Sequence, residues 1–236
     1  MKTILTSELS RRATTDTDKT PFASVVSISA LEGRSELSVG VLLQSGYGRE
    51  EKTFLLPLDL LQRDRISLKN IPYEIDSETL SYLENCHAVA YALRRAYGII
   101  SYGASSYKKL FYKLREKGVD RDVAEQTVEI IRSKGYIDED DLACRVCELC
   151  LKKYWGRSRI IRKLREDGYC DEAIGSATDF LDSIDFAQQC AMLIEKRYMS
   201  IPSDQYEVQK MFASIARYGY SGSEIREAVR IYNESN

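Results

Sequence analysis

Three glycines punctuate the second half of the sequence at intervals of 50 and 51 residues: Gly118, Gly168 and Gly219. Each follows the same apolar pattern. Leu110, Phe111 and Leu114 precede the first, Ile160, Ile161 and Leu164 the second, and Met211, Phe212 and Ile215 the third. Apolar residues at i, i+1 and i+4 form one stripe of a helix. A glycine just past the stripe enters the left-handed conformation that ends a helix without a Cβ penalty. An apolar residue follows (Val119, Tyr169, Tyr220), then a polar residue suited to cap the next helix: Asp120, Asp171, and Ser221 or Ser223. Ser221 has Glu224 three residues on, the spacing of a capping box.

The helix after each glycine repeats as well. Its inward positions are Ala124, Thr127 and Ile131, then Ile174, Ala177 and Leu181, then Ile225, Ala228 and Tyr232. A further helical stretch precedes each pattern, at 88–96, 142–151 and 186–194. Each unit is therefore three short helices, the third unit carrying the longest spacing before its glycine. One such unit is marginal alone, and stacked neighbours bury more surface. The expected fold is mainly α: three tandem three-helix repeats in an elongated, curved array.

The front of the chain has another period. Val26, Ile28 and Ala30 alternate with serine; Leu37, Val39, Val41 and Leu43 alternate next; Phe54, Leu56 and Leu58 follow a turn with two glycines. Period two with glycine-bearing turns predicts three antiparallel strands, with Pro57 closing the third or opening a short helical turn at Leu58–Leu61. Three strands need cover on one face. The segment 62–77 or the start of the helical part is placed to supply it. The expected organisation is a loose arm over 1–21, a small β element and linker over 22–76, and repeats over 77–137, 138–184 and 185–236.

Composition narrows the chemistry. One histidine in 236 residues makes His-based metal sites and Ser-His-Asp catalysis improbable. Six cysteines are sparse for a disulfide scaffold. No apolar run reaches membrane-span length, and the first twenty residues do not form a signal peptide, so the expected location is the cytoplasm. Cys144, Cys147 and Cys150 stand three apart, but one intact helix cannot turn three thiolates to a common centre. They read as small core residues, with no metal and no cofactor expected. The acidic run Asp138, Glu139, Asp140 and Asp141 suits a helix start.

Charge is segregated. Residues 152–165 hold Lys152, Lys153, Arg157, Arg159, Arg162, Lys163 and Arg165 with no acidic residue, whereas 1–84 holds ten basic and thirteen acidic residues. A shorter run is Lys108, Lys109, Lys113, Arg115 and Lys117, opposed by Glu116 alone. The apolar stripes face the core, so much of this charge faces outward. The bland reading is a solvated helix face with cations near helix C-termini. The functional reading is a face for acidic protein or phosphate. Trp155 and Tyr154, before Gly156, read as a packing contact that sets a helix angle, with base stacking as the alternative. Tyr91, Tyr97, Tyr136, Tyr169 and Tyr220 are expected in the core or between repeats.

Lys134-Gly135-Tyr136-Ile137-Asp138, Leu114 to Gly118, and Tyr154-Trp155-Gly156-Arg157-Ser158-Arg159-Ile160 resemble the RecX family of bacterial recombinase regulators. The helical resemblance covers about 85–236. The first repeat departs from the family pattern at Ser105 to Lys109, and the third is weakly basic. The resemblance implies a regulator that binds the RecA filament and restrains it, with no catalytic residue. It implies RecA as partner, DNA within the filament as a second contact, no membrane, and a monomer. The partner-binding candidates are Lys108, Lys109, Lys113, Arg115, Lys152, Lys153, Arg157, Arg159, Arg162, Lys163 and Arg165. A direct nucleic-acid-binding repeat protein is the alternative, against which an isoelectric point near 5.7 argues.

Overall fold

The computed structural model describes residues 22–45, 48–103, 105–198 and 201–235. The predicted arm over 1–21 lies outside the described residues. The chain divides into two compact units, one ending at Ala90 and one beginning at Tyr91.

The first unit is built on a four-stranded antiparallel sheet of β1 (Phe22–Ala30), β2 (Glu36–Ser45), β3 (Gly48–Pro57) and β4 (Tyr73–Ile75). The spatial order is β3-β2-β1-β4. The three predicted strands are present, and a fourth lies in the segment read as linker. Tyr73, Glu74 and Ile75 pair with Val25, Ser24 and Ala23. Three residues are too few for a period-two signal to stand out.

The register of β1 also differs from the alternation. A bulge between Val25 and Ser27 shifts its pairing with β2, so Ala23 and Val25 are the buried residues and Val26 is only half-buried. A bulge inserts one residue and changes which face the following side chains take. Gly40 stands opposite, where a Cβ would lie 2.3 Å from the Ser27 hydroxyl oxygen. At the end of β3, Phe54 and Leu56 point inward as expected. The chain then turns into a single 3-10 turn, Leu58–Leu60, and leaves Leu58 47% exposed. The cover comes from both predicted sources. Ile66 of the connecting segment and Leu83 and Cys86 of the first helix are fully buried with Val25, Val39, Val41 and Leu56.

Among the described residues there are nine α-helices: α1 (Ser77–Tyr102), α2 (Tyr107–Glu116), α3 (Arg121–Ser133), α4 (Glu139–Leu151), α5 (Arg157–Asp167), α6 (Asp171–Asp182), α7 (Phe186–Arg197), α8 (Gln205–Ala216) and α9 (Gly222–Ser235). No described helix is long and apolar enough to cross a membrane. The middle helices α2, α5 and α8 bury Leu110 and Leu114, Ile160 and Leu164, and Met211 and Ile215. Each such leucine or isoleucine contributes about 1.5–3 kcal/mol when fully buried.

The three repeat glycines have φ of +78°, +73° and +99°. At the first two, the next residue's N–H reaches back to the helix, Val119 to the Leu114 carbonyl and Tyr169 to that of Leu164. The cap of α6 is Cys170 rather than Asp171, its sulfur accepting from the Ala173 N–H at 3.5 Å. Ser221 and Glu224 close both hydrogen bonds of the capping box. The large buried cluster of the second unit is continuous from Ala143 in α4 to Ala228 in α9, so α4–α6 and α7–α9 share one core.

Candidate partner-binding face

Helix α5 carries the densest basic run, and its electrostatics are not those of a passive surface helix. Cations are favourable at a helix C-terminus, where only Arg165 sits. Arg157 and Arg159 occupy the first turn, at the positive end of the macrodipole, and that turn itself carries no acidic residue.

Several candidate cations have internal work. Lys163 of α5 and Lys109 of α2 both donate to the Asp167 carboxylate, at 2.6 and 2.7 Å. Burial opposes ionisation of Asp167, but the two ammonium groups overcome it and hold its carboxyl below the usual range. Arg115 donates to the Val119 carbonyl at 2.6 Å. Arg157 pairs with Asp182 and lies 5.8 Å from the Phe186 ring centre. Arg162 faces Glu166 at 3.9 Å on an exposed surface, a contact of little worth. Lys108 lays its stem against Gly168. Among the described residues no carboxylate pairs with Lys113, Lys152, Lys153, Arg159 or Arg165.

These residues meet at a joint that repeats. Where α2 begins, the Ser106 hydroxyl donates to the Asp167 carbonyl at 2.6 Å. Where α5 begins, the Gly156 N–H donates to the Tyr218 carbonyl at 2.8 Å and the Ser158 hydroxyl to that of Gly219, also at 2.8 Å. The start of α2 thus abuts the end of α5, and the start of α5 the end of α8, each at a left-handed glycine. A Cβ on Gly168 would lie 2.4 Å from the Lys108 side chain, and one on Gly219 2.5 Å from Arg159 Cβ. The sequence pattern explains these glycines by φ alone; close approach is a second, independent demand. A second strut reinforces the first joint. Glu139, 7% exposed, accepts from the Tyr107 N–H at 2.6 Å and the Cys170 N–H at 3.0 Å. It stands in the acidic run read as a helix start, where Asp138 does cap α4 through the Asp141 N–H. Nothing in the run distinguishes the one buried carboxylate.

The second joint carries three exposed cations, Lys153, Lys196 and Arg197, and the half-buried Arg159. Tyr154 is left-handed, with φ +56°, an uncommon state for a residue with a Cβ. Its carbonyl accepts from the Tyr220 hydroxyl at 3.0 Å. This turn presents Trp155, over which Arg159 lies with its guanidinium carbon 3.9 Å from the ring centre. Lys153 is 5.9 Å from the same ring. Arg159 is also 5.5 Å from the Tyr218 ring, on whose other contact Arg197 sits at 5.2 Å while donating to its hydroxyl at 2.6 Å. Lys153, Trp155, Arg159, Tyr218 and Arg197 form an alternating ladder of cations and rings. Lys196, 4.9 Å from the Tyr154 ring, adds a fourth cation. Among the described residues none of these four cations forms an ion pair. Each ring contact is worth about 0.5–1 kcal/mol when exposed. The ladder orders the charges without neutralising them.

Trp155 therefore packs at a joint, as expected, but against cations. Arg197, Lys196 and Tyr218 were not legible as site residues, because they lie well outside the basic run, in later helices and turns. Three tyrosines depart from expectation: Tyr91, Tyr97 and Tyr136 are 52%, 39% and 51% exposed, while Tyr220 is buried. Cys147 and Cys150 are buried and Cys144 half-buried. Burial pushes the Cys147 thiol up to about 12.

No family model matches the chain. It is 22% identical over 204 residues to the regulatory protein RecX of Clostridium botulinum (strain Alaska E43 / Type E3), spanning 85% of this chain and 92% of that protein. It is 28% identical over 139 residues to the regulatory protein RecX of Xanthomonas axonopodis pv. citri (strain 306), spanning 58% and 85%. A crystal structure of regulatory protein RecX superposes with a TM-score of 0.64 at 20% identity, over 88% of this chain and 98% of that one. The crystal structure of RecX from Lactobacillus salivarius gives 0.54 at 18% identity, over 62% and 97%. The repeat pattern, the helix triplets and these relatives agree: in sequence and in fold the chain is similar to the regulatory proteins named RecX.

Proposed function

We propose that this chain regulates the RecA recombinase filament by contact, lying against it and restraining growth, ATP hydrolysis and strand exchange, with no chemistry of its own. The observation that carries this reading is the ladder at the second joint: four cations ordered by rings and left without carboxylates. Ordered, unneutralised charge offers complementarity to an acidic surface and steers encounter. The family kinship supplies the recombinase as the partner. The face comprises Lys152, Lys153, Arg159, Arg162 and Arg165, with Arg197 and Lys196 added. Lys109, Lys163, Arg115 and Arg157 support it from within. The protein works as a monomer in the cytoplasm. The test is a strand-exchange and ATP-hydrolysis assay with stoichiometric protein. Inhibition by the natural chain, and its loss in Lys153→Glu/Arg159→Glu, is expected. Unchanged RecA activity in the presence of the natural chain overturns the reading.

The stack of Arg159 on Trp155 favours one second reading, direct binding of single-stranded nucleic acid through base stacking. It requires salt-sensitive DNA binding without any recombinase.

A further inference from the structure

A second basic site lies away from the ladder, between the C-terminal half of α1 and α2. The cleft holds about 720 Å³ and is lined by Arg95, Gly98, Ile99 and Tyr102 of α1, by Lys113 of α2 and by Lys117, the C-cap of α2. Three of the six lining residues are cations and none is acidic. Lys117 caps the turn that begins at Lys113, its N–H reaching the Lys113 carbonyl at 3.2 Å, and both line the cleft. Among the described residues neither has an acidic partner. Arg95 donates to the Lys117 carbonyl at 2.7 Å. That bond occupies a carbonyl at the negative end of α2, which would otherwise repel an anion. Opposite stands an apolar ledge. A Cβ on Gly98 would meet nothing within 4 Å, Ile99 is half-buried, and Tyr102 is 98% exposed, the most exposed large hydrophobic among the described residues.

We propose that this cleft binds an acidic peptide segment of a protein partner. Two carboxylates are received by Lys113 and Lys117, and an intervening apolar or aromatic side chain lies on Ile99 and Tyr102. The arrangement selects a peptide over a nucleic acid. The cations form one short row beside an aliphatic ledge, whereas a nucleic-acid groove follows a long backbone and buries about 600–1,000 Å² even for a single module. The row matches carboxylates spaced along one segment, and the ledge matches a side chain between them, the anchor-and-charge pattern of peptide recognition. The site shares no residue with the ladder and does not depend on the recombinase as partner.

The test uses the full-length protein and a fluorescein-labelled peptide, acetyl-Asp-Glu-Glu-Phe-Glu-Asp-amide, followed by fluorescence anisotropy. Saturable, salt-sensitive binding is expected. In Lys113→Glu/Lys117→Glu the affinity should fall by about tenfold or more, and in Tyr102→Ala by about threefold, as for loss of complementary charge and of one contact. The Lys153→Glu/Arg159→Glu ladder variant should bind the peptide as the natural chain does. Circular dichroism melting of each variant shows whether it is folded, and Tyr102→Ala, fully exposed at its side chain, serves if the double variant does not fold. No saturable binding, equal binding by folded Lys113→Glu/Lys117→Glu, or tighter binding of a labelled single-stranded oligonucleotide at this cleft would each overturn the proposal.

Discussion

Gly156 and Gly219, in different helix triplets, touch through their main chains. A Cβ on Gly156 would lie 2.4 Å from the carbonyl carbon of Gly219 and 2.6 Å from the Tyr220 nitrogen. No side chain is available to yield. Gly156→Ala should destabilise the protein by about 1–3 kcal/mol, the usual cost of overpacking. Gly175→Ala is the control. It lies inside α6 with nothing within 4 Å of the new Cβ, and should stabilise by about 0.5–1 kcal/mol. Urea unfolding midpoints of the two variants should move in opposite directions.

Glu139 satisfies two backbone donors on two helices at once. Glu139→Gln keeps one acceptor oxygen and turns an NH₂ toward the other donor. We expect a loss of about 1.5–3 kcal/mol, the range for a hydrogen bond to a charged group. Denaturant unfolding measures it, and an unchanged midpoint would show that water replaces the strut.

Asp167, held below its ordinary value near 3.8 by Lys109 and Lys163 against the opposing effect of burial, links stability to pH. Its folded pKa is below the unfolded one. The stability it contributes is therefore complete above the unfolded value and is lost as pH falls through the folded value. Asp167→Asn should be less stable than the natural chain at neutral pH, and the gap should narrow as pH falls past the unfolded value and close below the folded one. Thermal melts across that range test the sign.

Arg159→Ala retains the Cβ that packs on Gly219 and removes only the guanidinium between Trp155 and Tyr218. It should weaken filament inhibition by about tenfold while shifting the melting temperature little, as truncating an ordered interface cation does. Lys163→Ala should do the reverse, lowering stability through Asp167 while leaving inhibition in place. Strand-exchange inhibition curves beside melts separate the two.

The thiols should react in order of exposure. Cys170 is exposed, whereas burial pushes Cys147 and Cys190 up to about 12. At about pH 8 a thiol reagent should modify Cys170 first, and Cys147 and Cys190 only on unfolding. Peptide mapping of the labelled protein reads the order.

The glycine period announces the helix triplets because it obeys two local rules at once, the stripe and the left-handed cap. Those rules carry Leu114, Leu164 and Ile215 to the core and Ser221 to its capping box without tertiary information. Where one residue alters parity, as at the β1 bulge, the alternation misassigns Val26, since nothing local marks the inserted residue. The candidate face was half legible. Arg159 and Trp155 stand in one run, but Arg197 and Tyr218 join them only through packing. The run equally contains Lys163 and Arg157, and charge alone does not tell a cation that holds a joint together from one left for a partner.

The joints rest on main-chain atoms: Gly156 N–H to the Tyr218 carbonyl, and the Ser106 and Ser158 hydroxyls to backbone carbonyls. Such a joint asks for a glycine and a small polar residue and is nearly indifferent to the other side chains nearby. Mutation can rewrite most of the surface of such a molecule without altering how its repeats connect. A chain only about a fifth identical to a relative can then keep the relative's architecture while changing the charges it offers to the outside. Surface divergence leaves the joints intact; substitution at Gly156, Gly168 or Gly219 does not, because there the path of the backbone itself is at stake.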